Sequence, residues 1–492
     1  MASSFHLENF GCRAARADGE AIAALLRSSG AGESHPSEAD VVIVNTCSVT
    51  AEADREVRAY IRRAHRLNPA ARIVATGCYA QRAPDELSAI PGVAAVVGNS
   101  HKALVPQVAL TLAKAPVVPQ YEVDGLIQIR TARAELTPRQ VVLADDTFAH
   151  SFLEEAPVIA GAQTRPNLKI QEGCSNRCSF CVIPQTRGFS RSLTSAAVLS
   201  QVRSFVAAGG NELVLSGINL GRWGRDLASA DSPIRTLAAF VRTIFEQTSL
   251  PRLRLSSIEP MDWDADLIAV MAEFGDTHLA RHAHLPLQSG SDSVLRRMHR
   301  RYRPWHYAEK VSALFRAAGP ALTLGADVMV GFPGETDQEF QETCAFIRSL
   351  PFGYLHLFPF SPRPGTRAWA LHADSPVPAS VVNERMTTLR GLGAEKTRSH
   401  RRQFIGAELD AITLHTPPTL SSEGHTSALT ENFLPVELTT MLAANQLIRI
   451  CVHGLAADNA LLASPVLSAT SASDSRFRPV AISDQPLLET AF

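Results

Sequence analysis

The chain has 492 residues, 45% hydrophobic and 19% charged, with a formal net charge of -1. That length allows two to four domains with real cores, and that charge excludes nucleic-acid binding through a global basic field, leaving only local patches. No run of about 18 apolar residues is present to span a bilayer. The opening MASSFHLENFGC lacks the basic and apolar regions of a signal peptide, which predicts a cytoplasmic protein without a membrane partner. In a reducing compartment the eight cysteines read as metal ligands, catalytic groups or core residues rather than disulfides.

Residues 1–112 alternate strands and helices. SSFHLENFGC leads into a helix near 16–29, ADVVIVNTC precedes one at 51–67, and ARIVATGC precedes one at 81–89. Such repetition predicts a parallel sheet in an open α/β domain. Cys12, Cys47 and Cys78 each fall just past the carboxyl end of a predicted strand. Those ends line the edge where open sheets bind ligands, so three cysteines 35 and 31 positions apart can converge. Residues 113–163, rich in Pro, Ala and acids, read as a long linker with one or two short strands.

Residues 164–399 resume the alternation through NLKIQ, ELVLSGIN, RLRLSSIE, AHLPLQS, TLGADVMVG and YLHLFPF. Six such strands predict a partial (β/α)6 barrel, and the whole chain an α/β protein. Over 400–466, ELDAITLH, LPVELTT and LIRICVHGL predict a small all-β barrel. The Ser- and Pro-containing tail, 467–492, reads as disordered.

The densest chemistry is CSNRCSFC, with Cys174, Cys178 and Cys181 directly after a predicted strand. Closed zinc and iron-sulfur sites take four ligands. Three thiolates in a tight loop can hold three corners of a four-iron cube and leave one iron open, as a catalytic site requires. The alternative is a zinc site completed by a distant His or Cys, although the spacing is not the paired C-x2-C of zinc ribbons. Phe180 in the loop is either a core residue or a shield for a cluster. Cys344 and Cys451 read as buried small hydrophobes.

The C-x3-C-x2-C motif with an aromatic residue before its last Cys, set on a β/α scaffold, resembles the radical S-adenosylmethionine superfamily. GCSNRCSFCVIPQTRG, LSGINLG, RLSSIEP, HLPLQSGSDSVLRRM and VGFPGET resemble its methylthiotransferases, and NTCSVT and TGCYAQ their N-terminal domain. ALTENFLPVEL resembles their C-terminal TRAM domain. The resemblance implies that Cys174, Cys178 and Cys181 ligate the 4Fe-4S cluster that binds S-adenosylmethionine. It implies that Cys12, Cys47 and Cys78 ligate a second, auxiliary 4Fe-4S cluster that carries the sulfur. The implied reaction inserts a methylthio group at an unactivated C–H bond through a 5′-deoxyadenosyl radical, with the methyl from a second S-adenosylmethionine. The implied partners are tRNA, an electron donor such as flavodoxin or ferredoxin, and a sulfur source.

Cofactor-binding candidates lie at strand ends: Gly217, where backbone can approach closely, Glu259 and Gln288 as hydrogen-bonding groups, and Asp327 and Gly331 beside the adenine. Taken singly, each reads equally well as a turn glycine, a strand-end cap or a solvated carboxylate. Family branches act on isopentenyl- or threonylcarbamoyl-adenosine next to the anticodon, or on an aspartate of a ribosomal protein. VLRRMHRRYRP, FPFSPRPGTRA and LTENFLPVEL resemble the threonylcarbamoyladenosine branch. Arg296, Arg297, Arg300, Arg301 and Arg303 form a run suited to RNA phosphate. Residues 401–466, however, carry three Arg, no Lys and six acids, an odd balance for a domain that grips tRNA. The first cysteine motif also departs from the family's G-C-K-x-N-Q-x-E: Ala15, Arg16 and Asp18 replace Asn, Gln and Glu. The rival from another class is a two-cluster electron carrier or redox sensor, which has no need of a six-stranded barrel.

Overall fold

A computed structural model describes residues 3–114, 141–146, 148, 164–228 and 233–466. The first layer is a parallel sheet of β1 (Ser4–Asn9), β2 (Gly32–Glu33), β3 (Val41–Thr46), β4 (Arg72–Gly77), β5 (Val93–Gly98) and β6 (Val141–Leu143), in the order β2-β1-β3-β4-β5-β6. Strand β3 is buried at all six positions, as a central parallel strand covered on both faces must be. The covering helices are α1 (Arg13–Ser28), α2 (Ala51–Leu67), α3 (Cys78–Arg82), α4 (Pro84–Ser88) and α5 (Val105–Lys114). In α2, Thr50 caps the first turn by accepting from Ala53 N at 3.2 Å. Glu52 and Asp54 open that helix and His65 and Arg66 close it, matching the helix dipole at both ends. The stretch expected to be one helix at 81–89 is two short ones, α3 and α4, broken at Ala83–Pro84 because proline ends the preceding turn. One short strand does lie within the 113–163 segment: β6 extends the sheet beside β5. The rest of that segment, apart from residues 113–114, 144–146 and 148, and the tail from 467, lie outside the described residues.

The second layer has six parallel strands, β7 (Asn167–Glu172), β9 (Glu212–Gly217), β10 (Arg252–Leu255), β11 (His282–His284), β12 (Thr323–Val330) and β13 (Phe352–Pro359), in two sheets, β10-β9-β7 and β11-β12-β13, that a parallel bridge between Leu253 and Leu279 joins into an open barrel. The short β8 (Arg191–Ser192) runs antiparallel to β7. Leu168, Leu213, Leu215, Leu253, Leu255, Leu324 and Val328 face outward into one large core shared with the surrounding helices. The alternate positions, Lys169, Gln171, Glu212, Arg254, His282, His284 and Asp327, therefore face the lumen. Helix α1 packs against β7 and β9 and helps close that lumen. A second link joins the layers where Asp54 of α2 accepts from Arg82 at 2.9 Å and from Arg363, beyond β13, at 2.6 Å.

The last 60 or so described residues form a closed barrel of β14 (Glu408–Thr413), β15 (Thr426–Thr430), β16 (Pro435–Leu438), β17 (Leu447–Leu455) and β18 (Leu461–Pro465). Strands β15 and β18 are additional to the three expected. The β15–β16 turn docks on the central barrel. Glu431 accepts from Arg281 Nε at 3.0 Å, Asn432 donates to the Ala321 carbonyl at 2.8 Å, and Phe433 meets the rings of His282 and Tyr354. Part of this domain's acidity is thus spent on docking. Cys344 is fully buried in the central core as expected, whereas Cys451 is only half-buried in β17.

Candidate active site

Three strand ends bring Cys12, Cys47 and Cys78 together. Strands β1, β3 and β4 are neighbours; Cys47 and Cys78 directly follow β3 and β4, and Cys12 follows β1 after Phe10 and Gly11. Gly11, beside Cys12, lies so close to Cys47 that a Cβ there would sit 2.9 Å from its sulfur. Cys47 also stands near both Cys78 and Cys12 electrostatically. Burial pushes the Cys47 thiol up to about 12, with Cys78 adding to the rise. An unliganded thiol there keeps its proton, and a metal must displace it. Asn99 aims Nδ2 at the Cys78 sulfur at 3.5 Å while donating to the Thr186 carbonyl at 2.8 Å, which ties this triad to the barrel loop.

The second triad, Cys174, Cys178 and Cys181, caps the carboxyl end of β7. Gln171 organises its approach: its side chain donates to the Glu172 and Gly173 carbonyls at 2.9 and 2.8 Å and accepts from Asn219 N at 2.7 Å. A Cβ on Gly217 would lie 2.9 Å from Gln171, so Gly217 is needed for close approach, to a protein side chain. Asn219 reaches the Cys174 sulfur at 3.6 Å. Arg300 reaches Cys178 at 3.3 Å. Burial pushes Cys181 up to about 12. Among the described residues neither triad gathers its sulfurs within 4.8 Å, as a single ion would require. Three thiols at wider corners, with neutral or cationic donors at Cys78, Cys174 and Cys178, fit a multi-iron cluster better than a lone zinc.

The other expected residues divide. Phe180 is half-buried against the main core. Gln288 takes a positive φ of 62° and is 7% exposed, and its Oε1 has no protein partner. Asp327 stands in the lumen between His284 Nε2 at 3.5 Å and His356 Nδ1 at 3.3 Å. Burial opposes its ionisation, but hydrogen bonds from the two histidines hold its carboxyl well below the usual range. Gly331 donates its N–H to Glu335 at 2.8 Å and packs under Val382. Glu259 does not stand free for a ligand: it is ion-paired to Arg300.

That pairing corrects the reading of the arginine run. Arg300 is 6% exposed, holds Glu259 and Cys178, and stacks 4.9 Å from the Tyr302 ring, so it is unavailable to RNA phosphate. Arg297 is turned to Glu339 at 2.7 and 2.8 Å, and Arg303 to Asp292 at 3.1 Å. Arg296 is exposed but paired to the same Asp292 at 2.8 Å, and Arg301 remains exposed. The spacing alone showed five cations; a helix end and a tight turn send them in different directions.

Between the two triads lies a buried ionic cluster that local pattern did not mark. Asp18 of α1 accepts from Lys102 at 2.6 Å, from Arg187 at 3.2 Å and from Lys169 of β7. Glu172 accepts from Arg187 and from Lys169 at 3.3 Å. Burial works against the Asp18 charge, yet these cations hold its pKa well below the ordinary value. The departures in the first cysteine motif thereby acquire roles. Asp18 is the hub, the Ala15 carbonyl accepts from Asn45 at 2.6 Å, and Arg16 points to solvent.

Residues 4–98 match the family model described as uncharacterized protein family UPF0004, and residues 168–347 match the radical SAM superfamily. The chain is 35% identical over 439 residues (88% of this chain, 89% of the relative) to the threonylcarbamoyladenosine tRNA methylthiotransferase MtaB of Bacillus subtilis. It is 32% identical to the MtaB of Aquifex aeolicus, covering 84% of this chain and 91% of that one. It is 34% identical to the tRNA-2-methylthio-N(6)-dimethylallyladenosine synthase of Geobacter metallireducens, covering 82% and 85%. Among solved structures, the radical S-adenosylmethionine methyltransferase TsrM of Kitasatospora setae is similar at 17% identity and a TM-score of 0.47, covering 75% of this chain and 77% of that one.

Proposed function

Because this chain belongs to the radical S-adenosylmethionine methylthiotransferase family and is a methylthiotransferase, we propose that it converts N6-threonylcarbamoyladenosine, next to the tRNA anticodon, to its 2-methylthio derivative. What supports the reading is the pair of three-thiol sites, one on a barrel loop and one at the edge of the N-terminal sheet, linked by Asn99, which reaches the Cys78 sulfur and donates to the Thr186 carbonyl. Relatives that match over more than four-fifths of the chain and bear that activity in their names support the choice of adenosine.

Cys174, Cys178 and Cys181 would hold one 4Fe-4S cluster with S-adenosylmethionine at its open iron, and Cys12, Cys47 and Cys78 a second. When bound, these groups supply the radical removal of an unreactive hydrogen and the sulfur and methyl that replace it. The protein's own part is placement. Gln171 and Asn219 fix the first thiol loop, Arg300 sets a positive charge against Cys178, and Asn99 does the neutral equivalent at Cys78. Helix α1 and Phe433 cover the lumen and keep water from it. The ionised Asp327, held by His284 and His356, offers a fixed acceptor to a nucleobase edge. The C-terminal barrel acts as a TRAM domain whose docking acid, Glu431, faces inward, while exposed Arg296 and Arg301 contribute to phosphate binding. An electron donor of the flavodoxin or ferredoxin type and a separate sulfur source complete the system.

Mass spectrometry of tRNA nucleosides from a strain lacking this chain tests the reading. Loss of 2-methylthio-N6-threonylcarbamoyladenosine, with its unthiolated precursor accumulating, is expected. Loss of the dimethylallyl derivative instead, or unchanged tRNA, overturns it.

A further inference from the structure

The deep end of the lumen holds more positive charge than the protein neutralises. Glu212, fully buried, accepts from Arg165 Nε at 2.6 Å and Arg254 Nε at 2.9 Å, with Arg252 Nη1 at 3.6 Å. Three guanidiniums thus share one carboxylate. Arg13, next to Cys12 on the first turn of α1, adds a fourth. Its guanidinium lies 5.5 Å from the Phe433 ring centroid, and those of Arg254 and Arg165 lie 5.3 and 5.9 Å from the same ring. Among the described residues no carboxylate comes within ion-pair distance of Arg13; its charged neighbours are Arg254 and Glu212, and Tyr354 stands beside it. Arg254 is fully buried, and its Nη1 has no hydrogen-bond partner, nor does Nδ1 of the buried His282 beside it.

Even with the ionised Asp327 on the other side of Tyr354 counted beside Glu212, four guanidiniums leave an excess of two positive charges in a site walled by Phe433, Tyr354 and His282. Cations withdrawn from water without counter-charge are costly, and the cost is relieved when an anion enters with a ligand. We infer that this tier binds an anionic substituent of the substrate base, with Arg13 as its main ligand, and on the reading proposed above that anion is the threonylcarbamoyl carboxylate. A dimethylallyl group offers no acceptor and would leave the same donors unpaired, and sites built to hydrogen-bond a group reject analogues lacking it. The position of Arg13 then gives it a second property: it joins the side chain that reads the substituent to the cysteine of the sulfur-delivering site through one peptide bond.

The test uses anaerobically reconstituted full-length enzyme and anticodon stem-loop RNAs bearing threonylcarbamoyl, its neutral methyl ester, or dimethylallyl on the target adenosine. Fluorescence anisotropy gives dissociation constants, and single-turnover assays give conversion. The wild-type enzyme is expected to bind the acid at least about tenfold tighter than the ester, a single charge-assisted contact's worth. Arg13→Gln should erase that preference while leaving ester affinity and iron content unchanged, and Arg13→Lys should restore part of it. Equal affinity of the wild-type enzyme for acid and ester overturns the inference whatever the variants do, and points to backbone phosphate as the anion served. Conversion of the dimethylallyl RNA alone would instead refute the substrate reading, a result separable from the first.

Discussion

Gly77 precedes Cys78 and sits opposite Thr46 in the β3–β4 pair. Its φ of 101° and ψ of -159° fall in a region open to glycine almost alone. A Cβ there would lie 2.4 Å from the Thr46 carbonyl oxygen and 2.7 Å from the Thr46 nitrogen, both main-chain atoms that no rotamer change can move. In Gly77→Ala the backbone strain costs about 1–3 kcal/mol and the crowding about 1–3 kcal/mol. The stiffer unfolded chain returns only about 0.4–1 kcal/mol. The net expectation is a loss of about 1–5.6 kcal/mol. Because Thr46 adjoins Cys47, relief by strand movement displaces two of the three thiols together, and iron bound by that triad should fall with stability. Gly30→Ala is the matched control: φ is 85° but nothing lies within 4 Å of the added carbon, so only strain of about 1–2 kcal/mol applies. Urea denaturation and anaerobic iron counting read both effects. If Gly77→Ala keeps its full iron and unfolds within about 0.5 kcal/mol of wild type, close approach at this turn is not what positions Cys78.

Replacing Cys174, Cys178 and Cys181 together by Ala should remove about four of about eight irons, and replacing Cys12, Cys47 and Cys78 the other four; loss of no iron from either variant refutes that triad. Arg301→Glu should weaken tRNA binding and reduce its salt dependence, whereas Arg300→Gln should leave the salt slope intact and lower iron at the barrel triad. A slope change in the second variant would show that Arg300 does meet phosphate. Buried His400, which shares a hydrogen bond of 2.9 Å with Thr323, is lowered by burial, aided by Arg401, to about 4. The unfolded chain takes up that proton near pH 6.5 and the native chain only near pH 4, so stability is full above about pH 6.5 and falls as pH drops toward 4. The full effect is about 3 kcal/mol, with about 1 kcal/mol lost by pH 5.5. Urea midpoints at pH 7.5 and 5.5 should diverge more for wild type than for His400→Gln, and equal divergence rules this histidine out.

What could be read from the sequence was what period and spacing encode. Strands β1, β3 and β4 of the N-terminal sheet and the six barrel strands announced themselves as apolar runs ending in Gly, Cys or polar residues, whereas β2 and β5 were not picked out. The thiols at the ends of β1, β3 and β4 needed only the rule that strand ends share an edge. Strands β15 and β18 escaped because TSALT and LLASP are short and mix small polar with apolar residues, so closure of the barrel rather than local preference defines them. The direction of an arginine also escaped: Arg300 and Arg301 are adjacent, yet one is buried against Glu259 and the other meets solvent. Least visible were groups whose meaning is purely tertiary. Asp18, Lys102, Lys169, Glu172 and Arg187 are spread over some 170 positions, and each alone reads as a surface charge.

That five-membered cluster also governs how the molecule can move. Lys169 and Glu172 belong to the barrel, Asp18 and Lys102 to the N-terminal layer, and Arg187 bridges to both carboxylates. A hinge that parted the layers would strand these ions in apolar surroundings until water reached them, at several kcal/mol each. The gap between the two thiol triads is therefore a manufactured dimension, set when the chain folds, not a jaw that closes on its substrate. On the function proposed above, a base bound for that gap has to leave its own stack to enter it, and the flexibility of the encounter belongs to the RNA.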